Sequence, residues 1–175
     1  MKQRKGYIQI YTGNCKGKTT ASLGLTLRAL GAGFSVYYGQ FMKDGECSAI
    51  KALTEKFPEL EYASYGKTGF MRKGKPRMGD PEMAQEGLIE AKAALSTGKY
   101  DLVVLDELCV TLFMELVSLE DVLSLIDIRP AHTELVLTGR YAHPDLIERA
   151  DLVTEMTEIK HYFTQGIPAR LGIEK

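Results

Sequence analysis

The chain has no tryptophan, only three cysteines and three histidines, and almost no net charge. Its cysteines, Cys15, Cys47 and Cys109, are far apart and odd in number, which argues against a disulfide framework and against a structural zinc site. The formal charge of -1 provides no chain-wide attraction to nucleic acid. No apolar run approaches the roughly 18 residues that span a bilayer. We therefore expect neither nucleic acid nor a membrane as a partner, and a reducing cytoplasm as the location.

What the chain does contain is the composition of an ordinary globular domain, with 45% hydrophobic and 26% charged residues. A length of 175 residues is enough for one domain with a proper hydrophobic core. The sequence shows no internal repeat, low-complexity tract or linker. Residues 1–175 are therefore predicted to form a single domain.

Short β-rich runs alternate with longer helical patterns along the chain. Strands are predicted at 6–11, 34–38, 60–65, 102–105, 134–138 and 152–156, and helices at 18–30, 48–56, 80–96 and 144–149. A further helix is expected to start at Ser118–Asp121, and Asp80 is the expected N-cap of its helix, before a proline at the first helical position. Because strands and helices alternate without hairpins, the predicted fold is α/β with right-handed crossovers and a mostly parallel central sheet.

The segment between the first strand and the first helix reads Thr-Gly-Asn-Cys-Lys-Gly-Lys-Thr-Thr over residues 12–20. A phosphate-binding loop (P-loop) belongs at this place, because backbone N–H groups converge there on a helix N-terminus. Lys18 can supply a charge for phosphate oxygens, and the Thr19 hydroxyl can ligate Mg²⁺. Gly13 and Gly17 are separated by one residue fewer than usual. The alternative is a helix start that carries Gly-Lys-Thr-Thr by chance, but the strand before it and the helix after it favour a P-loop.

Two carboxylates, Asp106 and Glu107, follow the aliphatic run of the fourth predicted strand. In P-loop enzymes, an acid at such a strand end holds Mg²⁺ directly or through water. Asp-Glu after a strand is also common as a solvated helix cap. The P-loop elsewhere in the chain favours the metal interpretation.

Three segments together resemble the P-loop class of ATP:corrinoid adenosyltransferases: residues 12–20 with their shortened spacing, Asp106-Glu107, and the Leu-Thr-Gly-Arg of residues 137–140. The resemblance continues at 39–43, 45–46, 160–161 and 171–174, in the family's order and over nearly the whole chain. It implies a single-domain, RecA-like three-layer fold. It also implies a role in the biosynthesis or salvage of adenosylcobalamin.

In this family, Co(I) of the corrinoid attacks the 5′ carbon of ATP and expels intact triphosphate. Because Co(I) is itself the nucleophile and carries no proton, the reaction requires no Ser/His/Asp or Cys/His constellation. The protein must hold the 5′ carbon near cobalt and stabilise charge on the departing triphosphate. Family members bind ATP in a reversed orientation relative to ordinary P-loop hydrolases, which suits chemistry at the 5′ carbon.

The resemblance also implies which residues act. The implied nucleotide contacts are Gly13, Asn14, Cys15, Lys16, Gly17, Lys18, Thr19, Thr20, Arg28 and Arg140. The implied metal ligands for Mg²⁺ are Thr19 and Glu107, with Asp106 in support, and the implied catalytic residues are Lys18, Thr19, Glu107 and Arg140. For Arg28 a surface ion pair, and for Arg140 a simple loop charge, are the alternatives.

The chain departs from the family pattern at two places. Cys15 replaces a loop glycine, which would cost roughly 1 kcal/mol or more if this position required a positive φ. Residues 66–77 align with the family's corrinoid-facing loop, where Phe70 fits but Arg72 stands at the position of a tryptophan. Because arginine replaces this apolar side chain in the corrinoid-facing loop, the identity of the corrinoid substrate stays open. The alternative to a corrinoid-facing role is that this segment, with its five basic residues, is a solvated loop.

Two other functions stay open at this point. One is a P-loop NTPase or kinase that acts on the γ-phosphate, and the other is a non-catalytic protein that binds a corrinoid or a nucleotide. If the resemblance holds, the expected partners are ATP, a corrinoid, an electron donor that reduces cobalt, and a second copy of the chain in a homodimer.

Overall fold

A computed structural model describes residues 5–67, 69 and 73–174, and its centre is one sheet of six strands. These are β1 (Ile8–Thr12), β2 (Val36–Phe41), β3 (Leu60–Tyr65), β4 (Leu102–Asp106), β5 (Glu134–Thr138) and β6 (Leu152–Glu155). Their order is β3-β2-β4-β5-β1-β6, and every neighbouring pair is parallel. The α/β prediction is confirmed.

In the part of the chain that the structure describes, the strands are connected by six α-helices: α1 (Lys18–Gly31), α2 (Ser48–Lys56), α3 (Asp80–Ser96), α4 (Leu108–Phe113), α5 (Leu119–Ile128) and α6 (Pro144–Arg149). A short 3-10 helix at Tyr162–Gln165, which the sequence did not indicate, lies in the tail after β6. Within the described residues, no helix combines the length and the apolarity that crossing a bilayer requires.

The sheet is covered on both faces, which makes three layers. On one face, Val103, Leu105 and Leu137 pack with residues of α3, α4 and α5. On the other face, Val104 and Val136 pack with α1 and α2. Because both faces are covered, all five residues of β4 are buried, and an alternating pattern of apolar and polar residues is absent there.

The bounds of β1, α1, β4 and β6 differ from the predicted ones by one or two residues, and two further predictions need a larger correction. β2 was predicted over 34–38 but runs from Val36 to Phe41. All six of its residues are buried, including Gln40, whose polarity hides the end of the strand in the sequence. Asp80 is the first residue of α3 rather than its N-cap, which is Gly79 in the left-handed region.

The Asp80 carboxylate does not cap α3 because it is engaged elsewhere. It accepts hydrogen bonds from the backbone N–H of Arg77 at 2.9 Å and from the guanidinium of the same residue at 3.0 Å. The predicted helix start at Ser118 is confirmed, since its side chain accepts a hydrogen bond from the backbone N–H of Asp121.

Candidate functional site

The candidate site lies where the carboxyl ends of β1, β2, β4 and β5 meet. The loop of residues 12–20 follows β1, Lys43 follows β2, Glu107 follows β4, and Gly139-Arg140 follows β5. Parallel strands bring all these ends to one edge of the sheet, the edge at which open α/β folds bind ligands. The fold thus brings together residues that are up to about 130 positions apart in the chain.

The loop that precedes α1 is held from behind by the chain after β6. The backbone N–H of Cys15 donates to the carbonyl of Met156 at 3.0 Å, and the N–H of Met156 donates to the carbonyl of Thr12 at 2.9 Å. Gly13 has a φ of 98°, and a Cβ there would lie 2.4 Å from the Met156 carbonyl oxygen. Only glycine therefore fits at this close approach between the two backbone segments.

The side chain of Lys18 is folded back onto this loop. Its Nζ donates to the carbonyl of Gly13 at 2.8 Å and to that of Cys15 at 2.6 Å. Burial lowers the pKa of Lys18, and the charge of Arg140 lowers it further, although the Glu107 carboxylate opposes both effects. The two carbonyls thus hold the ammonium inside a loop whose backbone N–H groups are suited to bind an anion.

Cys15 causes none of the backbone strain that its substitution for glycine could bring. Among the described residues, four non-glycine residues have a positive φ: Met42, Glu107, Glu115 and Tyr141. Cys15 is described and is not one of them. Because Cys15 contributes to the loop through its backbone N–H and carbonyl, a side chain at this position leaves the loop geometry intact.

Asp106 is the most heavily hydrogen-bonded carboxylate of the site. It is fully buried and accepts hydrogen bonds from Thr19 Oγ1 at 3.1 Å, Gln40 Nε2 at 2.9 Å and Thr138 Oγ1 at 2.6 Å. These donors come from α1, β2 and β5, so one carboxylate connects three elements. A buried charge is tolerated only with such partners.

Glu107 has an unusual backbone conformation. Its φ of 64° and ψ of 13° lie in the left-handed region, which costs a non-glycine residue about 1–3 kcal/mol. Its N–H donates to Thr138 Oγ1 at 3.0 Å, which helps to hold this conformation. Burial, followed by the neighbouring Asp106 charge, raises the pKa of the Glu107 carboxyl.

Lys43 places a positive charge among these oxygens. Its Nζ lies 3.1 Å from Thr19 Oγ1, 3.3 Å from Asp106 Oδ2 and 3.7 Å from Glu107 Oε1. Burial lowers the pKa of Lys43, but the two carboxylates more than offset this, and the net pKa is raised. A cation is thus already present where one hydroxyl and two carboxylates converge.

The same oxygens could hold a hard divalent cation. Two carboxylates and a hydroxyl are suitable Mg²⁺ ligands, and Mg²⁺ usually completes its shell with waters and substrate phosphates. In the part of the chain that the structure describes, no group of three or more His, Cys, Asp or Glu side chains is placed to hold a metal by itself. The donor set therefore suits a metal that arrives with a phosphate ligand.

A cavity of about 500 Å³ opens on the outer side of the loop. It lies between the start of α1 and the tail, and its lining residues are Cys15, Lys16, Gly17, Thr20, Ala21, Lys160, His161 and Tyr162. The tail is attached to the loop by the Glu158 N–H, which donates to Asn14 Oδ1 at 3.1 Å, and by Lys16 Nζ, which lies 3.9 Å from Glu174 Oε1.

The fold brings together most of the residues that the sequence singled out. Thr19, Asp106 and Glu107 surround one point, and Arg140 is near enough to influence the pKa of Lys18 and of Glu107. Arg28 is different, since it lies in the last turn of α1, roughly 15 Å along the helix axis from Lys18.

Two predicted residues, Phe70 and Arg72, lie outside the described residues. Sequence reasoning assigned no role to Lys43, Gln40 or Thr138, although all three contact Asp106. Their positions at the ends of β2 and β5 are the signal that could have found them.

Comparisons with known proteins relate this chain to one family. The family model of the ATP:corrinoid adenosyltransferases BtuR/CobO/CobP matches residues 4–174. A corrinoid adenosyltransferase of Pseudomonas aeruginosa is 38% identical over 99% of this chain and 85% of its own length. The corrinoid adenosyltransferase CobA of Salmonella typhimurium is 34% identical over 98% of this chain and 87% of its own.

A solved structure supports the fold assignment. The flagellar accessory protein FlaH of Methanocaldococcus jannaschii superposes with a TM-score of 0.61, at 14% identity, over 87% of this chain and 71% of its own. At that identity the likeness concerns the fold alone, and it agrees with the predicted RecA-like architecture. The full-length match to the family model and the relatives above show that this chain belongs to the ATP:corrinoid adenosyltransferase family.

Proposed function

We propose that this chain transfers the 5′-deoxyadenosyl group of ATP to Co(I) of a corrinoid and releases triphosphate, in the biosynthesis or salvage of adenosylcobalamin. The observation that carries the proposal is the convergence of a P-loop with Thr19, Asp106 and Glu107, in a chain that belongs to this family. This arrangement suits the binding of a polyphosphate chain rather than the activation of a protein nucleophile.

The proposed reaction is a displacement at carbon. Co(I) of the reduced corrinoid donates an electron pair to C5′ of ATP, and a Co–C bond forms. The C5′–O bond breaks, and its electron pair leaves on the triphosphate. Cobalt is formally oxidised from Co(I) to Co(III), and no proton is transferred. The charge that develops on the leaving group is what the protein has to stabilise.

The residues of the loop are suited to that stabilisation. The Lys18 ammonium now rests on two loop carbonyls and can turn to phosphate oxygens, together with the loop N–H groups. The guanidinium of Arg140 follows β5 on the same side and adds a second positive charge near Lys18. Both cations favour departure of the triphosphate over its retention on C5′.

Thr19 and Glu107, with Asp106 in support, are the residues that would hold Mg²⁺. The Lys43 ammonium between them shows that this oxygen cluster accommodates a positive charge. A bound Mg²⁺ would neutralise triphosphate charge. Asp106 would orient Thr19 and the start of α1, since it already accepts the Thr19 hydrogen bond.

The proposal extends to partners. An electron donor that reduces the cobalt to Co(I) is proposed as one partner, because the reaction consumes the corrinoid in its Co(I) state. A homodimer in the cytoplasm is also proposed. β6 is an edge strand, and the tail after it exposes Ile159 and Phe163, which a second copy would cover. Light scattering of the purified protein tests the dimer.

The decisive experiment is an anaerobic assay with Mg-ATP and chemically reduced cobalamin or cobinamide. The corrinoid spectrum and the phosphate product are followed together. We expect the Co(I) bands to disappear with one equivalent of triphosphate. Lys18→Ala should reduce the rate by at least about 100-fold, because it removes a cation from the leaving group.

Lys92→Ala, an exposed lysine on α3, is the matched control and should leave the rate unchanged. Orthophosphate in place of triphosphate, with unchanged Co(I) bands, would contradict the proposal and favour a P-loop NTPase. Binding of ATP and corrinoid without either product would favour a non-catalytic carrier.

A further inference from the structure

Lys43 has a fixed position at the edge of the site. It follows Met42, a non-glycine residue with a φ of 58°, whose N–H donates to the carbonyl of Tyr65 at 2.9 Å. The backbone of Gly66 is packed against this turn, since a Cβ on Gly66 would lie 2.4 Å from Lys43 N. A left-handed non-glycine residue that the neighbouring chain at Tyr65-Gly66 holds in place is typical of a functional position.

From this turn the side chain reaches the candidate metal ligands. The ammonium lies within 3.7 Å of oxygens from Thr19, Asp106 and Glu107, the three residues that would hold Mg²⁺. A divalent cation bound at about 2.1 Å from such oxygens would lie within a few Å of this nitrogen, where two positive charges repel each other strongly. Lys43 in its present position and a bound metal therefore exclude one another.

The Lys43 side chain can leave this position toward the solvent. It is 38% exposed, whereas Asp106 is fully buried and Glu107 is 22% exposed, so it enters the cluster from the solvent side. Lysine has a flexible four-carbon side chain that ends in a compact ammonium group with three N–H donors. Its hydrogen bonds can therefore pass from a carboxylate to a phosphate. The solvent side of the cluster is where a triphosphate on the loop would lie.

We infer that Lys43 is an internal counter-ion of the metal site, which occupies it in the nucleotide-free protein and turns to the triphosphate when metal and nucleotide bind together. This rests on the proposed function only in taking a metal–polyphosphate as the ligand. In the free protein, Lys43 neutralises part of the charge of the two carboxylates and keeps free divalent cations out. The metal is then taken up only with its phosphate ligand.

The test is binding of Mn²⁺ to the nucleotide-free protein, measured from the EPR signal of free Mn²⁺, with wild type and Lys43→Met. Removing the competing charge should tighten Mn²⁺ binding by at least about tenfold. Binding of Mn²⁺ with inorganic tripolyphosphate should change in the opposite direction and weaken by about tenfold, because a phosphate contact is lost. A purely structural lysine would not produce opposite changes in the two affinities.

Lys43→Arg keeps the charge and should exclude free Mn²⁺ as the wild type does. Lys51→Met is the matched control, because Lys51 also pairs with a carboxylate, Glu46 at 2.7 Å, but on the exposed surface of the protein. It should change neither affinity. Equal Mn²⁺ affinity of wild type and Lys43→Met would overturn the inference.

If Lys43→Met does not fold, Mn²⁺ binding to the wild type still tests the inference. A tight Mn²⁺ site in the nucleotide-free wild type that Glu107→Gln abolishes would show that Lys43 does not block the cluster. None of these measurements uses a corrinoid or turnover. If the Mn²⁺ affinities change as expected but the wild type does not transfer the adenosyl group, the proposed function is contradicted and the inference about Lys43 is not.

Discussion

Two carboxylates end two parallel strands of the same sheet, Asp106 at the end of β4 and Glu155 at the end of β6. β4 lies between β2 and β5, whereas β6 is an edge strand paired only with β1. Asp106 is fully buried and accepts hydrogen bonds from several elements, whereas Glu155 is exposed like the rest of β6. The same residue class at the same strand end thus has two environments, and the position of the strand in the sheet decides between them.

The two ends also hold the phosphate loop from opposite sides. On the β4 side, the buried Asp106 carboxylate accepts the hydrogen bond of the Thr19 hydroxyl. On the β6 side, the loop is held by backbone hydrogen bonds to Met156 and by an exposed tail. The comparison implies that side-chain hydrogen bonds already fix the half of the site around Asp106, while the half that faces the tail is held more weakly.

The largest expected effect comes from the buried side. Asp106→Ala removes the buried acceptor of three side-chain hydrogen bonds and leaves Lys43 without its closest carboxylate. Breaking such a buried cluster should lower the free energy of unfolding by about 3–5 kcal/mol, measured by urea denaturation. Adenosyl transfer should fall below detection.

Glu155→Ala is the matched control at the other strand end. An exposed substitution should change the free energy of unfolding by no more than about 0.5 kcal/mol. Similar losses of unfolding free energy for the two variants would contradict the comparison, because the edge strand would then be as strongly coupled to the fold as the central one.

An intermediate effect is expected where the tail backbone meets the loop. Gly13→Ala places a Cβ 2.4 Å from the Met156 carbonyl oxygen at a φ of 98°, so the loop or the tail must shift. The free energy of unfolding should fall by about 1–3 kcal/mol, and tripolyphosphate should bind more weakly. Calorimetric titration and urea denaturation measure the two effects.

Gly24→Ala provides the control for a glycine on α1. It lies in the helix with no atom within 4 Å of the added Cβ, so alanine should stabilise the protein by about 0.5–1 kcal/mol. If Gly13→Ala binds tripolyphosphate as wild type does, Met156 does not fix the loop.

Strand and helix positions were largely predictable because apolar runs and glycines mark them. The bounds of α2, β3, β5 and α6 were predicted to the residue. The predicted bounds of β2 were wrong because Gln40 is a buried polar residue that belongs to the site. Its partner Asp106 is 66 positions away. Pairings at such separations depend on strand order, which a single sequence does not contain.

The same limit applies to the site. Thr19, Lys18 and the pair Asp106-Glu107 were found because P-loop motifs are local. Lys43 falls in the segment 39–43 that resembles the family, but an isolated lysine after a strand has no local signature of its own. The left-handed backbone of Glu107 had no signal either, because glycine is the residue that normally indicates such a conformation.

The smallest expected effect concerns the tail. Hydrogen bonds from Arg170 and then from Tyr162 lower the pKa of Glu174 to about 2. A folded-state pKa below the ordinary value of 4.5 means that these contacts stabilise the tail fully above about pH 4.5. That stabilisation is lost as the pH falls through 2. An NMR titration of the Glu174 carboxyl carbon should give a midpoint near 2 and the release of the tail in the same range.

Arg170→Ala should raise this midpoint toward 4.5, because it removes the first cause of the shift, and Arg170→Lys should raise it less. Neither variant should alter urea denaturation at neutral pH as much as Asp106→Ala does, since the tail lies on the surface and Asp106 inside the sheet. A comparable loss of stability would mean that the tail is an integral part of the fold. An unchanged midpoint would mean that Arg170 is not paired with Glu174 in solution. The expected result, a shifted midpoint with little loss of global stability, makes the tail a weakly attached wall of the cavity beside the loop, which can move as substrates enter and leave.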